Sequence, residues 1–243
     1  MEKIHLWNLF HVHRREIIFA LLLLLLPLDS FGQFNVREYE NRFSRKPYHF
    51  GIGLGYNSSH FRVKYDNSFI YNDTLLTADA INGPGFNLGI VSNLRLGDNL
   101  DLRFIPGIAF AEKTIEYAQT DQTIAQQRIE SIYFNFPFSL KFKTDAYKDM
   151  KVYVLAGSTY SYDLTSNAKA RNAEDIVKIN AHDLSLDYGF GFEFYFPYFI
   201  FAPELKIMNG SLNLHARDPN LIYSNSLDRL FARTILFTIH LEG

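Results

Sequence analysis

Residues 130–143 read ESIYFNFPFSLKFK, and every second residue from Ile132 is large and apolar: Ile132, Phe134, Phe136, Phe138, Leu140 and Phe142. Tyr133, Asn135, Pro137, Ser139, Lys141 and Lys143 lie between them. Successive side chains leave a β-strand on opposite faces, so this alternation predicts a strand with one greasy and one mixed face. What the aromatic face touches, protein core or lipid, limits everything the chain can do.

The pattern recurs eight times. Stretches follow from Tyr48 (YHFGIGLGYN, continuing towards Tyr65), from Gly85, from Leu100 to about Tyr117, from Glu130, from Lys151, from Leu184, from Phe199 and from Ala232. Short connections at 97–99, 144–149 and around Pro197 alternate with longer ones at 67–84, about 118–126, 166–178 and 216–229. Short turns at one end and long loops at the other describe an up-and-down membrane barrel. The stretches reach the roughly 9–11 residues that a tilted strand needs to cross a bilayer. The expected fold is all-β: an eight-stranded antiparallel up-and-down transmembrane β-barrel, with both termini on the periplasmic side of an outer membrane.

The choice of face follows from charge. The apolar rows are almost continuous Phe, Leu, Ile, Val and Tyr, while the opposite rows mix Gly, Ala, Ser and Asn with ions of both signs. A Lys or Arg facing lipid at the midplane costs about 2–4 kcal/mol, so the charged rows are assigned to the lumen. Arg95, Asp101, Arg103, Lys141, Glu193, Glu204 and Lys206 are expected to form a structural polar network there. Tyr48, Tyr117, Tyr162, Tyr195, Tyr198 and Tyr223 are candidates for an interfacial girdle. Pro106, Pro137 and Pro203 fall inside strands, where a missing N–H predicts local bulges.

The first 32 residues have the form of a cleaved signal peptide. Lys3, Arg14 and Arg15 precede the apolar run Ile17 to Leu28, and Ser30-Phe31-Gly32 offers a cut before Gln33. Residues 33–46 then form a short polar periplasmic lead-in, and 47–243 the barrel. The net charge of −2 gives no indication of nucleic acid, and the absence of cysteine excludes disulfides, thiolate catalysis and Cys-ligated zinc.

No arrangement of residues specifies chemistry, so no catalytic, cofactor-binding or metal residue is assigned. His182-Asp183, Ser211 and His215 are loose candidates with no spacing that fixes a triad, and His240 is read as a lumen filler. Asp66, Asp73 and Asp79 lack calcium-loop spacing. The glycines of GIGLGYN sit in strand alternation, without the helix of a phosphate-binding turn. With eight strands the interior is just filled by side chains, which argues against a wide-channel porin. An anchor or docking platform, an assembly factor, a surface adhesin and a lipid-modifying enzyme remain open.

The runs KPYHFGIGLGYN (Lys46 to Asn57), RFIPG (Arg103 to Gly107), FNFPFSLKFK (Phe134 to Lys143), VYVLAG (Val152 to Gly157) and SLDRLFARTILFTIHLEG (Ser226 to Gly243) resemble the PorT family, called SprT in gliding bacteria. The resemblance extends over essentially the whole chain after the leader. It implies an outer-membrane barrel of the Bacteroidota with a part in type IX secretion, and in some species gliding. Its implied partners are outer-membrane lipid and other components of that machinery, and it implies no catalytic residue.

Overall fold

A computed structural model describes residues 39–65, 75–119, 124–166, 178–216 and 227–243. The expected signal peptide and most of the lead-in lie outside them, as does Tyr223. A five-residue helix α1 (Glu40–Ser44) precedes nine strands. They are β1 (Tyr48–Tyr65), β2 (Leu75–Arg95), β3 (Leu100–Phe104), β4 (Gly107–Gln119), β5 (Ile124–Lys143), β6 (Met150–Asp163), β7 (His182–Tyr195), β8 (Ile200–Gly210) and β9 (Leu227–Glu242). All pairings are antiparallel. β1 pairs with both β2 and β9, so the sheet closes on itself. Closure removes every sheet edge, which a wall in lipid requires.

The count is nine rather than the expected eight because one stave is broken. β3 and β4 lie end to end, and each pairs with both β2 and β5. The break is Ile105-Pro106, where the Pro106 nitrogen has no hydrogen to donate. Its carbonyl still accepts from the Ile90 N–H at 3.0 Å.

The expected bulges at the prolines do not occur. Pairing is Ser92↔Phe104 before Pro106 and Gly89↔Gly107 after it, with no register shift. Pro137 pairs with Thr159 in unbroken register. At Pro203 the ladder to β7 skips from Gly191↔Glu204 to Phe194↔Phe201, while the ladder to β9 runs straight through. A lost hydrogen bond costs on the order of 1 kcal/mol, whereas a one-residue slip would turn a whole greasy row into the lumen. Register therefore prevails. The shifts fall at Lys64/Tyr65, at Leu75/Thr77 and at Asn82/Gly85, which brackets Gly83-Pro84. A Cβ on Gly83 would lie 2.1 Å from the Glu112 carbonyl oxygen, so only glycine lets the two strands approach there.

The strands run further than the sequence suggests. β2 begins at Leu75, inside the expected 67–84 loop, and β4 and β5 extend to Gln119 and from Ile124, through most of the expected 118–126 loop. The short turns at 96–99, 144–149 and 196–199 define the turn end of the barrel, and the opposite rim is the loop end.

The greasy rows face outward. Phe50 is 57% exposed, Ile90 62% and Leu186 61%, whereas Asp101, Arg103 and Lys141 are at most 1% exposed. Tyr48, Tyr162 and Tyr198 lie on the outer surface, but Tyr117 and Tyr195 are buried inside. Those two occupy the inward parity of their strands, and the alternation overrides any preference of tyrosine for an interface.

Candidate functional site

The lumen is filled in four layers. At the turn end, α1 docks across the mouth. Asp149 Oδ1 accepts the N–H groups of Tyr39 and Glu40 at 2.9 and 3.0 Å, capping from another segment the donors that a helix start leaves free. Glu40 pairs with Lys151 at 2.6 Å, and Phe43 packs against Tyr195 and Ile200. Asp149→Ala is expected to cost about 0.5–2 kcal/mol, confined to this docking. Amide hydrogen exchange at residues 39–44 would then quicken while the strand amides stay protected.

Above α1 lies the ionic tier. From β3, Arg103 reaches across the barrel to Glu204 on β8 at 2.8 Å and to Glu242 on β9 at 2.6 Å. Tyr153 on β6 donates its hydroxyl to the same Glu204 oxygen at 2.8 Å. Lys141 bonds Glu193, which also accepts from Tyr195 Oη at 2.6 Å, and its ammonium lies 4.0 Å from the Tyr153 ring centroid. Lys143 and Asn93 converge on Asp101 at 2.6 and 2.7 Å. Ions this deep are tolerated only when paired and hydrogen-bonded. Here the pairs tie strands across the lumen and obstruct it.

Glycine makes room for these long side chains. A Cβ on Gly191 would fall 2.5 Å from Cζ and Oη of Tyr153. Gly191→Val should displace the Tyr153 ring from Glu204 and cost about 2–4 kcal/mol, from overpacking and a broken buried hydrogen bond. Urea titration of the vesicle-embedded protein would measure the loss.

The middle tier is polar and hydrated in scale. A cavity of about 40 Å³ is lined by Asn57, Lys113, Tyr133 and Asp183, and one of about 50 Å³ by Lys206, His240, Thr238 and Asn135. Each has room for a few waters and nothing larger. Lys113 bonds Tyr133 Oη at 2.7 Å, and Ser185 donates to Asp187 at 2.7 Å. The loop end is closed by an apolar cap of Phe61, Ile115, Tyr117 and Leu230 with Ile179 and Leu214 from the connections. The Leu214 N–H bonds the Leu230 carbonyl, and the Asn180 N–H bonds the Leu214 carbonyl, both at 2.8 Å.

Of the seven residues assigned to a lumen network, Asp101, Arg103, Lys141, Glu193 and Glu204 lie in the ionic tier. Lys206 lies above it, in the lining of the second cavity. Arg95 is elsewhere, at the turn-end rim. It donates to the carbonyls of Ser44 and Gly97 and pairs with Asp98 at 3.0 Å. Its inward parity was legible, but its position at the last residue of β2 leaves its long side chain free to fold over the rim. Sequence reading left out Glu242, Tyr153 and Tyr195. Alternation contained the signal for all three, since Leu241, Val152 with Val154, and Phe194 with Phe196 already occupied the outward parity.

The histidine candidates occupy separate places. His182 is exposed on the outer wall, with Nδ1 2.7 Å from Tyr160 Oη. His215 is buried in the cap, its N–H bonded to Asn213 Oδ1 at 3.1 Å, while Ser211 is exposed. His240 lies in the lumen, with Nε2 3.6 Å from Glu204. Asp79 is exposed on β2, and Asp66 and Asp73 lie outside the described residues.

A closed strand wall, greasy outside and filled with paired ions inside, defines a membrane-spanning β-barrel without an open pore among the described residues. The chain belongs to the outer membrane protein beta-barrel domain family, whose model matches residues 31–214. It is an outer-membrane β-barrel protein. No curated protein matches it. Among solved structures it is similar to the outer membrane protein OprG from Pseudomonas aeruginosa, at 11% identity and TM-score 0.49, covering 80% of this chain and 93% of that one. It is also similar to Ail, the attachment invasion locus protein of Yersinia pestis, at 15% identity and TM-score 0.38, covering 82% and 100%. A third is Neisserial surface protein A, at 10% identity and TM-score 0.37, covering 79% and 95%.

Proposed function

We propose that this barrel is a PorT-type accessory or assembly component of type IX protein secretion, non-enzymatic and not itself the conduit. The residue runs Lys46 to Asn57 and Ser226 to Gly243 support the family reading. The observation that carries the mechanical part is the obstruction of the lumen by α1, by the Arg103–Glu204 and Arg103–Glu242 ties, and by the apolar cap. Cargo cannot pass such a lumen, so the contribution to secretion comes from surfaces. The turn end, with α1 and the three short turns, is the docking face we assign to the periplasm, together with both termini. Partners there are other secretion components, and gliding would follow where the machinery supports it.

Deletion of the gene tests the reading. Cargo carrying the C-terminal targeting domain should accumulate in the periplasm and disappear from the cell surface. Normal surface cargo in the deletion strain would refute the secretion role and leave a surface-structural or adhesive barrel.

A further inference from the structure

Beyond the greasy belt, the outer wall is sharply asymmetric in charge. On β1 the outward residues after Tyr56 and Ser58 are His60, Arg62 and Lys64. On the neighbouring β9 they are Arg233, Phe231 and Arg229, and the register sets His60 opposite Arg233 and Lys64 opposite Arg229. Lys64 and Arg229 are like charges directly across a strand pair, an arrangement that destabilises the pairing unless an anion lies between them. Arg62 lies over the Phe231 ring at 5.6 Å and donates to the Gly210 carbonyl at 3.1 Å. The Asp228 carboxylate pairs with Arg229 at 3.4 Å, and its carbonyl faces His215 Nδ1 at 3.4 Å. Beyond the belt further round the wall, past β2, the β4–β5 surface carries Glu112, Glu116 and Glu130, with Arg128 bound to Glu112.

The place of the cluster decides its ligand. It is on the lipid-facing wall, not in the lumen, and it continues directly into Tyr56, Ile235 and Phe237, where acyl chains lie. A ligand fitting both surfaces carries an anionic head above an apolar tail. Strands about 4.8 Å apart, with successive outward residues about 7 Å apart, place these long side chains close enough for several guanidinium and ammonium donors to converge on one phosphate. An acidic protein segment would fit the cations but would leave the greasy continuation unused.

We propose that His60, Arg62, Lys64, Arg229 and Arg233 form a binding site for the phosphate headgroup of a membrane lipid in the leaflet at the loop end. The proposal rests on the membrane-spanning barrel alone and is independent of any part in secretion. If the loop end faces the cell exterior, the lipid is the phosphorylated glycolipid of the outer leaflet.

The test titrates purified full-length mature protein in detergent with diphosphoryl lipid A, with dephosphorylated lipid A and with inorganic phosphate. The wild type should bind the diphosphoryl form, and the Arg62→Gln/Lys64→Gln/Arg229→Gln variant should bind it about tenfold or more weakly. Dephosphorylated lipid should bind both proteins weakly, and millimolar inorganic phosphate should not compete. Glu116→Gln, on the acidic wall, should leave binding unchanged. If the triple variant fails to give the folded electrophoretic mobility, Lys64→Gln/Arg229→Gln, which alters only two exposed side chains, replaces it with the same expected direction. Equal lipid binding in wild type and variant would overturn the site. So would displacement by free phosphate, or a variant that keeps its lipid but loses an acidic partner protein.

Discussion

Replacing Arg103 with methionine is expected to lower the unfolding free energy of the barrel by about 3–5 kcal/mol, since it takes the ion-pair partner from buried Glu242 and leaves buried Glu204 with only Tyr153 and His240 beside it among the described residues. Arg103 is 1% exposed, and its two carboxylate partners, Glu204 and Glu242, are each almost wholly buried. Urea unfolding of protein reconstituted in lipid vesicles, followed by tyrosine fluorescence, would measure the loss. The same measurement on Arg103→Met/Glu204→Gln/Glu242→Gln should recover more than half of it. With no charge left behind, the penalty falls to lost hydrogen bonds and imperfect packing. A triple variant no more stable than the single one would show that the ion pairs themselves, and not the avoidance of unpaired charge, hold this tier.

Ile52→Arg is expected to cost about 2–4 kcal/mol and to impair insertion into vesicles. Ile52 is the middle outward residue of the greasy run Tyr48 to Tyr56, and is 49% exposed on the wall. An arginine there must either desolvate its guanidinium in hydrocarbon or thin the bilayer around it. Ser58→Arg, six residues further along the same face of β1, should cost only about 0–1 kcal/mol because its head lies at the interface. The pair of variants separates a lipid-facing row from a protein-facing one. A buried protein core would reject both substitutions, and a water-facing surface would accept both. Folding yield in vesicles, read as the fraction with heat-sensitive electrophoretic mobility, gives the ranking.

These expectations depend on two kinds of information that the chain carries unequally. Period-2 alternation made the outward and inward faces readable from residue order alone, because the pleat allows no other disposition along a strand. It determined that Phe50, Ile52 and Leu54 share one face, that Asp101, Arg103 and Glu204 share the other, and, had it been applied consistently, that Tyr195 points inward. The cost of charge in hydrocarbon then decided which face meets lipid.

Which ion meets which was not readable. Arg103 finds Glu204 and Glu242 at sequence separations of 101 and 139 residues. Those pairs exist only because closure and strand stagger bring β3 opposite β8 and β9. The same holds for α1, whose polar sequence says nothing of Asp149 and Lys151 waiting across the mouth. The prolines show the reverse: their local chemistry suggested bulges, and the demand of two neighbouring ladders for a single register suppressed them. Alternation is a property of neighbours along the chain and can be read there. The contents of the lumen depend on distances across a closed wall, and only the assembled barrel sets those distances.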